Sequence, residues 1–330
     1  MIDPAGQAEP TTICSDVMND QEIRQETWKF FDLIPQTNTN EVAITWLAKH
    51  RLISNCVKCS TCSNLCTLVD HPEDIDGKRW KCDLDSFTQS VRIGSIFEDS
   101  DVSLTTFIWL MYMWSREHLN SEIAHETKVN VNTIDDLCQY IRELLEGFLE
   151  DHPTELGDDP PEIGGFDSQT GKPKVVEIDV TTISKPKPNG KKHVKGYKVF
   201  GGIERGSEKC FLVPIEHRNK EAFEAAIVRW VLPGTHIVSG VWAEYLQISQ
   251  IQQGIYTHDY INLIERDSEN QTSDIDRMWL RVKGKLRRKH LTSDKAVFQS
   301  LLAEFIWRSH FKKDNKFAAL IYCITHLYKV

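Results

Sequence analysis

Between Lys174 and Gly240 the sequence sets a pattern that few folds satisfy. Three short β-branched runs, KVVEIDV, YKVFGGIE and KCFLVPIE, are each bounded by turn residues. A helical stretch, KEAFEAAIVRWVL, follows, and a fourth run, THIVSG, closes the set. The first three runs read as consecutive antiparallel strands, then comes a helix, then another strand. After residue 273 helical spacing dominates again. The expected class is therefore mixed, α+β or α/β.

The rest of the chain fits a globular protein. A 330-residue chain has room for one large domain or two to three small ones. Its hydrophobic share is 40%, with nine Trp and fourteen Phe, which excludes a disordered chain. No apolar run approaches the roughly 18 residues of a membrane span. The opening MIDPAGQAEPTTICSDVMND lacks the basic and apolar regions of a secretory signal. The net charge of −9 argues against indiscriminate nucleic-acid binding. Charge is uneven, however. Residues 151–167 hold six acids and no Lys or Arg, whereas residues 277–289 hold seven Lys or Arg and no acid. Any DNA contact is expected to be local.

Composition and spacing divide the chain into segments. Residues 1–20 read as a disordered leader. Residues 21–53 hold two amphipathic helices, QEIRQETWKFFDLI and NEVAITWLAKHRLI, with Thr39 and Asn40 as candidate N-caps of the second. Residues 54–97 form a Cys-rich module. Residues 98–150 are helical in three pieces, LTTFIWLMYMWSREHL, SEIAHET and VNTIDDLCQYIRELLEGFLE. Leu137, Ile141, Leu144, Leu145 and Phe148 share one face of the last. The polar break at Lys128-Val-Asn130 gives a helix-turn-helix outline, with Asn130, Asn132 and Thr133 able to reach DNA. Asp135 and Asp136 follow at once and repel phosphate, so a purely structural three-helix unit is the favoured reading. Residues 151–173 are an acidic linker, 174–310 a main domain and 311–330 a helical tail.

Nine cysteines, an odd number clustered at 56–82, fit reduced thiols or a metal site better than disulfides. Cys59-Ser-Thr-Cys62 has knuckle spacing, and Cys82 presents a third thiolate. Structural Zn²⁺ is tetrahedral and closed, so a fourth ligand is needed. The position three after Cys82 is Asp85, a poor structural ligand. Cys56, Cys66 and His71 are alternates. The competing reading is a decayed site whose thiols are merely buried or exposed.

Several ordered phrases resemble the Merlin family of DNA transposases and its bacterial insertion-sequence relatives. They are VEID at 176–179, GYKVFGGIERGSEKCFLVPIEHR at 196–218, WVLPGTHIVSGVWAEY at 230–245 and TSDIDRMWLRVKGKLR at 272–287. SVRIGSIFEDS at 90–100 and LLAEFIWR at 301–308 also fit. The resemblance spans roughly residues 40–310. It implies a ribonuclease H-like, integrase-like catalytic domain, preceded by a zinc-ribbon-like module and a helix-turn-helix-like segment. It also implies three carboxylates that hold Mg²⁺ or Mn²⁺ for DNA cleavage and strand transfer.

Asp179 falls on the first catalytic position. Asp276 falls on the third, where the family carries Glu in an I-E-x-x-W pattern. The second position, within T/S-D-x-W-x-A-Y, is Gly240, which has no ligand. Glu244 and Asp274 are candidate substitutes. Val180 stands where the family prefers Glu, Gln271 where a His precedes Thr272, and the stretch after His258 is shortened. The resemblance therefore implies a transposase-derived DNA-binding protein whose cutting is lost or weak. Lys191, Lys192 and Lys195 in a Pro/Gly loop, and Lys283, Lys285, Arg287 and Arg288 after Asp276, are candidate DNA contacts. Double-stranded DNA at element ends, a homo-oligomer and a nuclear location follow from the same resemblance. The alternatives are a non-enzymatic protein-interaction module on the same fold and an active transposase that recruits a substitute acid.

Overall fold

The protein is seen in a computed structural model that describes residues 12–151, 162–184, 196–216, 219–261, 273–288, 294–311 and 315–330, with only the backbone for Asp151, Val241, Glu244, Tyr245, Ile261 and Arg288. It is a mixed α+β chain in two compact units. The first comprises the chain up to Leu144 together with Phe311–Val330, and the second comprises Leu145–His310.

In the first unit, α1 (Asp20–Gln25), α2 (Phe30–Thr37) and α3 (Asn40–Lys49) precede a small antiparallel sheet of β1 (Thr67–Asp70), β2 (Lys78–Lys81) and β3 (Thr88–Ser90) in the order β1-β2-β3. Then come α4 (Leu104–Ser115), α5 (Asn120–Thr127) and α6 (Val131–Asp151), the last belonging to this unit only as far as Leu144. The stretch 21–34, expected as one helix, is broken. Glu26 is extended (φ −65°, ψ 142°), its carboxylate accepts from Trp28 Nε1 at 2.8 Å, and Trp28 packs edge-on against Trp46. Tertiary packing of one indole outweighs helix propensity here. Thr39 is the N-cap of α3, its hydroxyl accepting from Val42 N. Along α6 the buried positions are Ile134, Cys138, Ile141, Arg142, Leu145, Phe148 and Leu149, while Leu137 and Leu144 are half-buried. The last helix of the chain, α10 (Lys316–Leu327), is buried from Phe317 to Thr325 and stacks Phe317 on Trp46. A helix apolar on nearly all sides belongs at the centre of its unit.

The small sheet has little apolar core of its own, and an ion pair ties it down. The loop between β1 and β2 presents Asp76, which accepts from Arg92 through both oxygens (Nε to Oδ2 2.5 Å, Nη2 to Oδ1 2.6 Å). Arg92 and Asp76 are 4% and 2% exposed. Such a fork is favourable when buried only because both partners are satisfied.

The second unit is built on five strands: β5 (Val175–Ile183), β6 (Tyr197–Glu204), β7 (Cys210–Ile215), β9 (His236–Gly240) and β10 (Thr257–Ile261), in the order β10-β9-β5-β6-β7. β5, β6 and β7 form an antiparallel meander, and β9 and β10 run parallel to β5. A side ribbon pairs β4 (Ile163–Gly164) with β8 (Val231–Leu232). The meander, the helix α7 (Lys220–Trp230) and β9 match the pattern read from the sequence. On one face α7 and the 3-10 turns Val241–Leu246 and Ile248–Gln253 close a core of Val176, Ile178, Phe200, Phe211, Phe223 and Ile237. On the other, α8 (Asp274–Arg288) packs on β5 and β6, and α9 (Lys295–His310) on β7. No helix of the described residues is long and apolar enough to cross a membrane.

His310 ends α9 almost wholly buried, and that burial, reinforced by Lys209, pushes its pKa down to about 4 from 6.5. A depressed folded-state pKa gives stability that is present above pH 6.5 and lost as pH falls toward 4. The loss should reach about 3 kcal/mol. Urea unfolding of wild type and His310→Leu between pH 7 and 4 tests this. The variant should lose that part of the slope, and equal slopes would show that another group titrates.

Candidate functional site

The first candidate centre lies at one end of the β1-β2-β3 sheet. A bridge between Lys58 and Leu65 closes a tight turn around Cys59-Ser-Thr-Cys62. Cys59 N donates to Asn64 O at 2.8 Å, and Ser63 adopts a left-handed conformation (φ +61°). Cys82 follows β2, and Cys82 N donates to Phe87 O at 2.9 Å across a second turn that carries Asp85. The two turns face each other. One ligand atom from each of Cys59, Cys62, Cys82 and Asp85 lies within 4.8 Å of every other, close enough to hold a metal ion.

The distances suit a tetrahedral ion. Zn–S bonds near 2.3 Å put sulfurs about 3.8 Å apart, and Cys62 Sγ and Cys82 Sγ are 3.5 Å apart. Backbone amides of Thr61 and Cys62 point at Cys59 Sγ at 3.4 and 3.5 Å. Asn64, through its main chain first and its side chain second, lowers the Cys62 pKa. Donors of this kind orient and stabilise thiolate ligands. Cys66 is fully buried, with burial raising its pKa, and Cys56 is exposed. Neither belongs to the group of four, nor does His71, which lies beside Asp74.

The second candidate centre is on β5. Glu177 and Asp179 are two residues apart and so share a face of the strand. Both bond to α8. Glu177 Oε2 accepts from Ile275 N at 3.1 Å, while its Oε1 accepts from Arg205 Nε at 2.9 Å. Asp179 Oδ2 accepts from Trp279 Nε1 at 3.1 Å. The indole reaches the sheet because Gly201 lies opposite Asp179 on β6. A Cβ at Gly201 would sit 2.7 Å from Trp279 Cη2, 2.9 Å from Leu212 Cδ2 and 3.0 Å from Phe211 O. Burial raises the Asp179 pKa, Asp276 adds to the rise, and the Val180 amide, Trp279 and Lys283 oppose it. Asp276 lies in the first turn of α8, where Ser273 Oγ donates to its Oδ2 at 2.7 Å and its own N–H donates to Ser273 Oγ at 3.4 Å. The arrangement is helix capping as well as an acid beside Asp179.

Ser239 pairs with Ile178 between parallel β9 and β5, so Gly240 stands beside Asp179 at the end of the next strand. Neighbouring strands lie about 4.8 Å apart, so a side chain at 240 would stand next to that of Asp179. A Cβ there would meet Trp242 Cδ1 at 3.0 Å and Nε1 at 3.3 Å. Of the two substitutes, the Glu244 side chain lies outside the described residues. Asp274 accepts from Gly206 N at 2.9 Å and from Arg277, and the Gly206 amide is the first cause of its lowered pKa. Behind Gly240, Ser239 Oγ is 2.8 Å from His258 Nε2 on β10, and burial lowers the pKa of that histidine.

The basic positions differ among themselves. Lys285 Nζ is 3.4 Å from Glu304 Oε1, a buried carboxylate that also accepts from Arg308 Nε at 2.8 Å. Lys283 is half-buried near Asp179, and Arg287 is exposed. Lys191, Lys192, Lys195 and the side chain of Arg288 lie outside the described residues. In the first unit, Asn130 Oδ1 accepts from Asn132 N at 2.8 Å and so helps start α6. Asp135 accepts from Asn120 Nδ2 at 2.5 Å. The sequence motifs include Glu177, Gly201 and Trp279 but assign them no role. The two-residue spacing of Glu177 from Asp179 was the available signal for the first, whereas the other two needed the strand register. Compared with protein-family models and with curated proteins, the chain matches none.

Gly201→Ala should cost about 1–3 kcal/mol by driving Trp279 off Asp179. A double-mutant cycle with Trp279→Phe checks it. The smaller ring removes the indole contact but leaves those with Leu212 Cδ2 and Phe211 O, so the second cost should shrink without vanishing, and equal costs in both backgrounds would show that Gly201 does not make room for Trp279.

Proposed function

We propose that Leu145–His310 is a ribonuclease H-like core of the Merlin transposase type that has lost its second metal-binding carboxylate, in a chain that binds double-stranded DNA. The observation that carries this reading is the position of Asp179. It lies in the central strand with Asp276 beside it, and Gly240 ends the adjacent parallel strand at the point where a third carboxylate would complete the set. Support comes from the strand order. Counted from β5, the five strands run 3-2-1-4-5, with three antiparallel and two parallel, and a helix between the third and fourth. The residues present do not fit a two-metal centre, because Gly240 supplies no ligand and the arm of Asp276 is shorter than that of Glu. The resemblance brings a homo-oligomeric state and a nuclear location with it.

The Cys centre fits Zn²⁺ better than the acidic centre fits Mg²⁺ or Mn²⁺. Cys59, Cys62, Cys82 and Asp85 would hold the ion, which would cross-link two turns of a sheet with little core. A zinc-ribbon reading is supported by the two facing turns at one end of a three-stranded antiparallel sheet. A second function reading, a protein-interaction module, is favoured by the pairing of α8 cations with acids: Arg277 with Asp274, Arg281 with Glu208 and Lys285 with Glu304. The salt dependence of duplex binding separates the two. A steep log–log slope supports phosphate contacts, and no binding at low salt supports the module.

Mn²⁺-dependent nicking of supercoiled DNA tests the lost carboxylate. Wild type should be silent. Gly240→Asp should cut about 100-fold or more above background, since electrostatic groups at a reacting centre are worth that much. Adding Asp179→Ala should abolish the gain. Cutting by the wild type that Asp179→Ala removes would overturn the reading of Gly240.

A further inference from the structure

We propose that Asp85 is the fourth donor of a three-thiolate, one-carboxylate cation site, and that this donor makes the bound metal readily exchangeable. The inference rests on the metal reading above, which gives the donor set, and adds the consequence of the carboxylate in it. Asp85 is held as a ligand is held. Its Oδ1 accepts from Phe87 N at 2.7 Å, which fixes the carboxylate plane. That leaves Oδ2 directed at Cys59 Sγ, 3.0 Å away. A backbone amide bound to one oxygen while the other meets the cation is the usual outer-sphere support of a metal ligand.

The alternative thiol is placed differently. Cys66 N donates to Val57 O at 2.8 Å, and Cys66 is fully buried outside the group of four mutually close ligand atoms. The carboxylate also lies on the more open side. Cys59 and Cys82 are buried, Cys62 and Asp85 are half-buried, and Leu84 on the same turn is 73% exposed. A borderline-soft ion such as Zn²⁺ favours thiolate over carboxylate, so one S-to-O exchange weakens the site at one of its two less buried vertices. Water or a chelator has an approach there that it lacks at Cys59 and Cys82.

Cobalt is the probe, used on the full-length chain with competition from a chromophoric chelator. Thiolate-to-cobalt charge-transfer intensity counts bound sulfurs, and the ligand-field bands report the fourth donor. Wild type should show three thiolates in a tetrahedral field. Asp85→Cys should show four, bind more tightly and release cobalt to the chelator more slowly. Asp85→Ala should keep three thiolates, change the ligand-field bands and bind about 100-fold more weakly or worse, at or beyond the 10–100-fold range typical of outer-sphere losses. Asp85→Asn keeps the shape of the turn and should fall between them, with circular dichroism confirming the fold of each variant. Four thiolates in wild type, unchanged by Asp85→Ala and reduced by Cys66→Ala, would overturn the proposal and leave the metal reading intact. No cobalt spectrum in wild type would overturn both.

Discussion

Two carboxylates on one face of β5 hold α8 against the sheet, and the acidic centre depends on them. Glu177 takes the amide of Ile275 at the start of the helix, and Asp179 takes the indole of Trp279 one turn on. Burying carboxylates is costly unless they are hydrogen-bonded, and a bond to a charged group contributes about 1.5–3 kcal/mol. The two bonds lie four residues apart on the helix, so they fix both its position along the strand and its rotation. That rotation brings Asp276 and Lys283 near Asp179. Gly201 is the third part of the clamp, because any side chain there would hold the indole away. Asp179 thus has a packing role that does not require a cation.

How much of this was legible in the sequence depends on the residue. YKVFGGIE became β6 from end to end, and the helix after the meander was read in place, because β-branched runs and breakers carry those signals locally. The strands of the Cys-rich module were not legible. KRWK and TQS are too short and too polar to show a period, and their order comes from cross-strand pairing. β10, with Thr257-His-Asp-Tyr-Ile261, has no apolar alternation either. The Cys set could be singled out by its spacing, whereas Asp179 and Gly240 could be singled out only through the family resemblance. The clamp could not, since Trp279 and Gly201 acquire meaning only through register.

The small sheet and the five-stranded one solve different problems. The larger encloses aromatic and aliphatic side chains on the α7 face and needs no staple. The smaller buries Trp80 and few others, and modules of that size seldom reach stability on apolar burial alone. Its order comes from polar cross-links. The Asp76–Arg92 fork ties the β1-β2 loop to the turn after β3. At the opposite end, four metal-type donors converge from two turns. An ion there would replace thiol–thiol and thiol–carboxylate contacts by bonds, and so cross-link the two turns.

Gly240 can be understood by the same electrostatics. Without a cation, clustered carboxylates repel, and Asp276 already pushes the Asp179 pKa upward. A third acid at 240 would add to that repulsion in the metal-free protein. Glycine removes it, and the ring of Trp242 lies within 3.0 Å of where its Cβ would be. The indole nitrogen has no hydrogen-bond partner among the described residues. A carboxylate restored at 240 would therefore meet a donor as well as a steric contact. On the proposed reading, glycine at 240 would favour the empty fold and a carboxylate there the metal-bound one, which is the usual exchange between stability and activity at a charged site.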